Sequence, residues 1–246
     1  MPELTVVLPT FGHFDYARRA AESLFAVTPR IDLQCLVVDD CSPDWDSVDW
    51  KAWPQERLER HHFNEWAGLT RSWNWGLSRA RELGSRYAVC TNSDIRFTPG
   101  WFEPLRDAIE AGVSLAGPLS NAPGYLPTQD IERHLPGYQL SDDPALLAEQ
   151  ASALRTRYPG VCHKPAHVNG FFMMAKTDVW WSGAFDAEHV FDPKHRLTGN
   201  EDELQTRWRK MNRACCYVPS SFIFHYRSVS RGFPKLGNKG AFRPTE

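Results

Sequence analysis

The chain has 246 residues, of which 42% are hydrophobic, so it is long enough to bury one sizeable core. Its 28 lysines and arginines nearly balance 30 aspartates and glutamates, and a formal net charge of −2 gives no overall field that would attract nucleic acid or an anionic membrane. The sequence contains no run of about 18 apolar residues and no signal-peptide pattern at its N-terminus. Since its six cysteines show no regular spacing, we expect reduced thiols and a cytoplasmic protein.

The first 40 residues predict a strand, a helix and a second strand. Residues 4–8 form a β-branched apolar run that ends at Pro9, and apolar residues then recur at helical spacing. Residues 33–38 form a second apolar run, which ends at Asp39 and Asp40. Two strands joined in this way are parallel with a right-handed crossover, so polar residues follow both strands at the same edge of the sheet.

A second strand-end carboxylate follows the next helix. Residues 68–83 carry an apolar stripe at helical spacing, and residues 87–94 are an apolar strand that ends in Asp94. Ligands in α/β proteins bind at the carboxyl ends of such strands. Asp94 therefore indicates a metal or phosphate site.

The rest of the chain alternates between regular and irregular segments. Residues 120–165 are rich in proline and glycine, which is typical of an insertion or lid, although Pro144 begins a further helical pattern within them. Residues 227–246 carry five basic residues against one glutamate and indicate a basic tail. The remaining predicted elements are helices over 101–110, near 178 and over 201–212, and strands over 113–116, 167–175, 215–218 and 222–225.

Four motifs occur in a recognisable order. Residues 6–11 read VVLPTF, and residues 37–42 read VVDDCS. Residues 91–101 contain an Asn-Ser-Asp triplet followed by Pro-Gly-Trp. Residues 169–172 (NGFF) precede a late block, which is GNEDEL at 199–204 with a closing Phe-His pair at 224–225. Over residues 4–228, this set resembles the motifs of family-2 glycosyltransferases, the GT-A class that uses nucleotide sugars.

The resemblance implies one α/β domain over residues 1–228, with a Rossmann-type, mostly parallel twisted sheet flanked by helices. Residues 1–118 are its nucleotide-binding half, and residues 119–228 are its acceptor-binding half with the insertion at 120–165. The basic tail covers residues 229–246. The implied reaction moves a sugar from a nucleotide-diphosphate sugar to a hydroxyl by metal-assisted inverting displacement.

The resemblance also implies a nucleotide site at the strand ends. The family's counterpart of Asp39 meets the N3–H of a pyrimidine, which favours a UDP- or TDP-type donor. Read without the family, Asp39 and Asp40 are turn or capping residues, and Arg71 is either a phosphate ligand or an exposed helix arginine. The predicted nucleotide-binding residues are Pro9, Thr10, Phe11, Asp39, Asp40, Arg71, Asn92 and Ser93.

Asp94 and His225 are the predicted metal ligands, with Mn or Mg as the cation. Hard oxygen ligands suit these cations, and the diphosphate of the donor adds further oxygens. Asn92 is neutral where the family often has a carboxylate, so we expect the metal to bind mainly together with the donor. A simpler interpretation of His225 is a strand-end histidine bonded to a backbone carbonyl.

Glu201 and Asp202 are the candidates for the general base, because amides at a helix N-terminus keep a carboxylate ionised. A literal match to the family's ED pair makes Asp202 the base, which we favour, whereas counting back from Arg207 gives Glu201. Acidic residues also begin many helices without any function. Asn169 and Gly170 are expected to contact the donor sugar or the acceptor.

Two other functions remain open at this point. The neutral Asn92 is compatible with a non-catalytic module that binds nucleotide sugars or glycans, and the related sugar-phosphate nucleotidyltransferases share a similar sheet. His61 and His62 are expected to face solvent. The motifs do not separate a glycan, a protein, a lipid-linked group or a nucleic acid as the acceptor.

Overall fold

The computed structural model describes residues 1–226, so the predicted basic tail lies outside the described residues. The strands are β1 (Leu4–Thr10), β2 (Leu33–Asp39), β3 (Leu58–His62), β4 (Tyr87–Thr91), β5 (Ile95–Phe97), β6 (Leu115–Leu119), β7 (Phe172–Lys176) and β8 (Cys215–His225). The helices are α1 (Phe14–Val27), α2 (Leu69–Glu82), α3 (Phe102–Glu110), α4 (Pro144–Arg157), α5 (Thr177–Ser182) and α6 (Asn200–Lys210). Within residues 1–226, none of the helices combines the length and the apolar character needed to cross a bilayer.

The eight strands form one sheet in the order β3-β2-β1-β4-β7-β6-β8-β5. Strand β7 runs antiparallel to both of its neighbours, β4 and β6, and β5 runs antiparallel to β8. The other ladders are parallel, so six strands point in one direction and two point against it. The predicted α/β fold with a mostly parallel sheet is confirmed, and the sheet is mixed because of β7 and β5.

Helices cover both faces of the sheet and bury the alternating side chains of β1. Leu4, Val6 and Leu8 belong to the core on the face that α1 covers, whereas Val7 belongs to the core under α2. Close approach of α2 depends on Gly76, because a Cβ atom there would lie 2.4 Å from Val7 Cγ1. This packing fixes the strand ends that carry the polar residues of the site.

Helix α4 lies within residues 120–165, the segment that was expected to form an insertion or lid. The Asp143 carboxylate accepts a hydrogen bond from Leu146 N at 2.9 Å and thereby caps the helix, as Pro144 predicted. Leu147 and Leu154 are buried in the core, and α4 packs against β8. Most of this segment is therefore part of the domain's packed layer.

The strands also differ from the expectation in three respects. Strand β7 begins only at Phe172, because Val168 N and Asn169 N donate to the side-chain carbonyls of Gln205 and Gln129 rather than to a neighbouring strand. The two strands predicted over 215–218 and 222–225 are one continuous strand, β8, whose pairing with β6 shifts register between Pro118 and Leu119. Strands β3 and β5 were not predicted.

Candidate functional site

A cleft of about 750 Å³ opens at the carboxyl ends of β1 and β4, beside the N-terminus of α2. We call it the main cleft. Seven of the twelve residues that line it were predicted as site residues, whereas the far wall comes from α2 and from the segment before α6. Its lining residues are Pro9, Thr10, Phe11, Asp40, Trp66, Leu69, Ser72, Asn92, Ser93, Asp94, Leu197 and Thr198.

Asp94 and His225 lie together, although 131 positions separate them in the chain. Strand β5 causes this, because it pairs with β8 in the register Ile95↔His225 and so carries the preceding Asp94 alongside. Asp94 Oδ1 is 3.2 Å from His225 Nε2, and both side chains are nearly buried. The structure thus brings together the two residues that were predicted as metal ligands.

The hydrogen bonds of His225 point its Nε2 lone pair at Asp94. His225 Nδ1 is 3.3 Å from the carbonyl oxygen of Ala122, which only accepts, so Nδ1 carries the proton in the neutral ring. The Asn92 amide nitrogen lies 3.4 Å from Nε2 on the other side. An imidazole oriented through its other nitrogen by a carbonyl is the usual arrangement of a metal-ligating histidine.

The spacing of this pair fits a divalent cation. Ligands at right angles around an octahedral ion, each about 2.1 Å from it, are about 3 Å apart. If His225 is neutral and Nδ1 carries its proton, Nε2 and Asp94 Oδ1 are two hydrogen-bond acceptors in contact. The pair therefore requires a proton or a cation between these two atoms. No group of three or more metal-ligating side chains occurs within residues 1–226, so further ligands would come from a bound molecule or water.

The charges that line the main cleft are negative. Asp40 and Asp94 are its only charged lining residues, and neither lysine nor arginine contributes to its surface within the described part of the chain. Phe11, Trp66 and Leu197 add exposed apolar surface at its rim. Arg71 balances the charge of Asp40, so added positive charge beside Asp94 would favour the binding of a polyanionic ligand here.

Asp39 lies behind the main cleft rather than on its surface. It has no exposed surface, and its carboxylate accepts hydrogen bonds from both the backbone N–H and the hydroxyl of Ser42. His62 Nδ1 is 2.8 Å from Asp39 Oδ2. The Ser42 hydroxyl oxygen in turn accepts from Gly12 N at 2.5 Å, so Asp39 fixes the loop that follows β1.

His62 was expected to face solvent, and that expectation is wrong. It is the last residue of β3, whose register Asp39↔His62 places its ring beside the carboxylate, and Trp45 stacks on the ring at 4.9 Å. His61 stacks on Trp75 at 4.1 Å. The polar sequence of β3, LERHH, lacks the apolar alternation that identifies a strand, which is why this contact was missed.

Asp40 joins β2 to the N-terminus of α2. Its carboxylate accepts from the backbone N–H groups of Ala67 and Gly68 and from the Arg71 guanidinium. Arg71 also donates to the carbonyl of Glu65. Neither sequence-based interpretation of Arg71 anticipated this partly buried ion pair, which places the guanidinium behind the lining of the main cleft.

The two candidate bases of α6 have different surroundings. Glu201 packs on Gly170, where a Cβ atom would lie 2.8 Å from both Cγ and Cδ of Glu201. Phe171, the next residue along the chain, stacks its ring on His225 with centroids 5.2 Å apart. The Gly170–Phe171 segment thus connects the Glu201 side chain to the ring of His225.

Asp202 faces a different set of groups. Its Oδ1 accepts a hydrogen bond from the Tyr125 hydroxyl at 2.7 Å and lies 3.5 Å from His167 Nδ1. His167 Nε2 is 2.6 Å from the Arg209 guanidinium, which can only donate, so Nδ1 carries the ring proton. Burial and the nearby Arg209 lower the pKa of His167. Sequence reasoning missed Tyr125 because no motif includes it.

Asn169 holds the turn before β7. Its side-chain nitrogen donates to Pro123 O at 2.6 Å, and its side-chain oxygen accepts from Phe171 N at 2.9 Å. Both functional groups of the side chain are thus used within the fold. The Asn169–Gly170 pair shapes the floor under Glu201 and connects it to the loop that contains Ala122 and Tyr125.

A second, more open cavity of about 540 Å³ lies along α6. We call it the α6 groove. Its surface carries side chains of both charges together with a hydroxyl, in contrast to the main cleft. The lining residues are His195, Gly199, Asp202, Glu203, Thr206, Arg207 and Lys210.

Comparison with known proteins agrees with this fold and its motifs. Among solved structures, the chain resembles the crystal structure of GalNAc-T7 with UDP, GalNAc and Mn2+, with a TM-score of 0.65 and 15% sequence identity. The match covers 92% of this chain and 44% of that chain, so this chain spans less than half of that protein's length. At this identity the likeness establishes the fold, which is the predicted GT-A-like glycosyltransferase fold.

The family follows from the sequence match. Residues 5–135, slightly more than half of the chain, match the model for glycosyl transferase family 2. The chain therefore belongs to glycosyl transferase family 2. No curated protein matches the chain significantly.

Proposed function

We propose that this glycosyltransferase moves a sugar from a UDP- or TDP-type nucleotide sugar to a hydroxyl with inversion, and that Asp94 and His225 hold a divalent cation, Mn or Mg, for this reaction. The observation that carries the proposal is the pairing of Asp94 Oδ1 with His225 Nε2, 3.2 Å apart, at a cleft whose own charged lining is negative.

The charge of the main cleft makes the cation part of donor binding. A nucleoside diphosphate brings about two to three negative charges to a surface that carries Asp94 together with Asp40, whose charge Arg71 balances. The bound cation would supply the charge neutralisation that lets the diphosphate leave. Asn92 lowers the negative charge next to Asp94, and its amide also orients the His225 ring.

The donor nucleotide would lie against the loop after β1. Thr10 and Phe11 line the main cleft, and Phe11 is 47% exposed, which leaves its ring face available to a base. Asp39 supports this loop through Ser42 and Gly12. Asp39 has no exposed surface, so a direct contact between its carboxylate and a base N–H would require the surrounding side chains to move.

Glu201 is the general base in this proposal, in preference to Asp202. A base must reach the acceptor hydroxyl on the side opposite the leaving diphosphate. Glu201 packs on Gly170 next to the Phe171 ring that covers His225, whereas Asp202 is turned toward Tyr125 and His167.

Thermal unfolding with UDP, TDP and GDP, each with and without Mn, tests the proposal. A ligand that binds only the folded protein raises its stability, so we expect a Mn-dependent increase with UDP or TDP that Asp94→Asn abolishes. Asp107→Asn, which changes an exposed carboxylate on α3, should respond like the wild type.

Hydrolysis or transfer of the matching nucleotide sugar completes the test. Turnover that produces the inverted anomer supports the proposal, and a retained anomer contradicts the displacement. Nucleotide binding without any turnover would identify a binding module, and a Mn-independent shift in Asp94→Asn would remove the metal from donor binding.

A further inference from the structure

We propose that the α6 groove and the exposed ring of Tyr125 form a saccharide-binding subsite, so that the acceptor of this enzyme is a glycan. The inference rests on the proposed function, because it assigns the acceptor side of the same reaction. It depends on three features of the structure: a fixed aromatic face, a polar groove beside it, and the position of both relative to the main cleft.

Tyr125 presents an aromatic face that is exposed and yet held in place. The residue is 59% exposed, while its hydroxyl donates to Asp202 at 2.7 Å. Burial and this hydrogen bond raise the pKa of Tyr125, so the phenol keeps the proton that it donates. An exposed aromatic ring whose polar end is anchored offers a flat apolar surface at little further cost in side-chain entropy.

The loop that carries Tyr125 is tied to the catalytic region on both sides. Ala122 O holds the His225 ring, and Pro123 O accepts from the Asn169 side chain. Gly124, between Pro123 and Tyr125, has φ of +61°, a left-handed conformation that other residues rarely adopt. The position of the Tyr125 ring is therefore set by contacts that also set the metal-ligand pair and the floor under Glu201.

The α6 groove supplies hydrogen-bonding groups next to this face. Asp202 contacts Tyr125 and also lines the groove, whose wall continues along the helix through Thr206 and Lys210. A sugar ring has apolar C–H faces and a rim of hydroxyls that both donate and accept. An aromatic face beside mixed carboxylate, hydroxyl and ammonium groups matches that chemistry.

The same features argue against the other acceptor classes. Both signs of charge line the α6 groove, as Glu203 and Lys210 show, so it lacks the uniformly basic surface that a nucleic acid or lipid phosphate requires. Its polar lining does not suit an acyl or polyprenyl chain. A saccharide is the hydroxyl acceptor that uses the ring of Tyr125 and the groove together.

The α6 groove also adjoins the main cleft, in which we propose that the donor binds. Leu197 and Thr198 line the main cleft, and the next residue, Gly199, lines the α6 groove, so the two cavities adjoin at the start of α6. Glu201 lies in the first turn that follows. Glu201 does not line the groove, so a sugar held there would flank the reacting sugar of the acceptor rather than contact this carboxylate itself.

Saturation-transfer NMR on the full chain, with maltose, lactose and N,N′-diacetylchitobiose as probes, tests the inference. We expect at least one of them to receive saturation through the C–H protons of one ring face. Tyr125→Ala should weaken its binding by about fivefold, and Tyr125→Phe by about twofold or less, because stacking of this kind is worth about 1 kcal/mol. Leu140→Ala, which removes an equally exposed apolar side chain elsewhere, should bind like the wild type.

The inference is overturned if glycerol and N-acetylserinamide bind as well as the saccharides, or if Tyr125→Ala binds them normally. Thermal stabilisation by nucleotide and Mn, measured on the same samples, reports on the main cleft separately. Saccharide binding without any nucleotide response would contradict the proposed function and leave a glycan-binding surface. A nucleotide response without saccharide binding would contradict the inference alone.

Discussion

The main cleft and the α6 groove lie on either side of the start of α6 and are built from different chemistry. The main cleft has an apolar rim and two carboxylates, whereas the α6 groove carries side chains of both charges. In the proposed function, a cation in the main cleft helps to bind the diphosphate, while the groove binds a neutral polar molecule by hydrogen bonds alone. This difference is the basis on which we propose the main cleft for the donor and the α6 groove for the acceptor.

The two regions also differ in how the fold holds them. Asp94 directly precedes β5 and His225 ends β8, and these two strands are hydrogen-bonded to each other. Five of the seven groove residues lie on α6, and Tyr125 lies on a loop. Changes in the main cleft should consequently affect catalysis and stability most strongly, and changes around the groove should act mainly on the acceptor.

The largest effect is expected from Glu201→Gln, which should lower kcat by at least about 100-fold, since loss of a general base removes factors of this size. Asp202→Asn, the matched change on the groove side, should lower kcat by less than about tenfold and act mainly through KM for the acceptor. Steady-state kinetics with varied acceptor separate the two variants. A larger kcat loss in Asp202→Asn would make Asp202 the base, as the literal motif match suggests.

Asp40→Asn should cost about 2 kcal/mol of unfolding free energy, because the variant loses charge-assisted hydrogen bonds to the α2 N-terminus and to Arg71. Urea unfolding measures the change. Asp44→Asn is the matched control, because Asp44 is an exposed aspartate in the same β2–β3 connection and its side chain makes no capping bond. It should change the unfolding free energy by less than about 0.5 kcal/mol. Equal stability of the two variants would show that Asp40 serves only the ligand.

The sequence predicted the strand-end side of the site better than the helix side. Each predicted cleft residue follows an apolar run, so the parallel βαβ unit alone brings Thr10 close to Asp40. The contact between Asp94 and His225 required β5, a strand of three residues that is too short to give a periodic signal. Motif resemblance supplied that pair instead.

Contacts that depend on loops and on half-buried polar strands could not be predicted. The His62 contact to Asp39 comes from β3, whose polar residues give no alternation. The Tyr125 contact to Asp202 joins residues 77 positions apart through a loop without regular structure. Such pairs depend on tertiary packing, which local sequence patterns do not contain.

Gly170→Ala tests whether Glu201 depends on close packing against the turn before β7. The added Cβ would lie within 3.0 Å of Cβ, Cγ and Cδ of Glu201, so the carboxylate must move. We expect kcat to fall about tenfold, with little change in nucleotide binding, because small displacements of a catalytic group are costly. In a Glu201→Gln background the same substitution should cause little further loss, and a full additional loss would mean that it acts elsewhere.

The smallest effect concerns His167, on the groove side. Burial and Arg209 lower its pKa in the folded protein below the unfolded value of 6.5, so the unfolded chain binds a proton first as the pH falls. This lowers stability as the pH drops through 6.5, and the loss continues until the folded pKa is reached. His167→Gln should therefore reduce the fall in Tm between pH 7.5 and 5.5, by under about 2 °C. If the Tm of His167→Gln falls with pH as steeply as that of the wild type, or more steeply, His167 is not a neutral ring that accepts from Arg209. The contact between Asp202 and a protonated His167 Nδ1 would then lose its support.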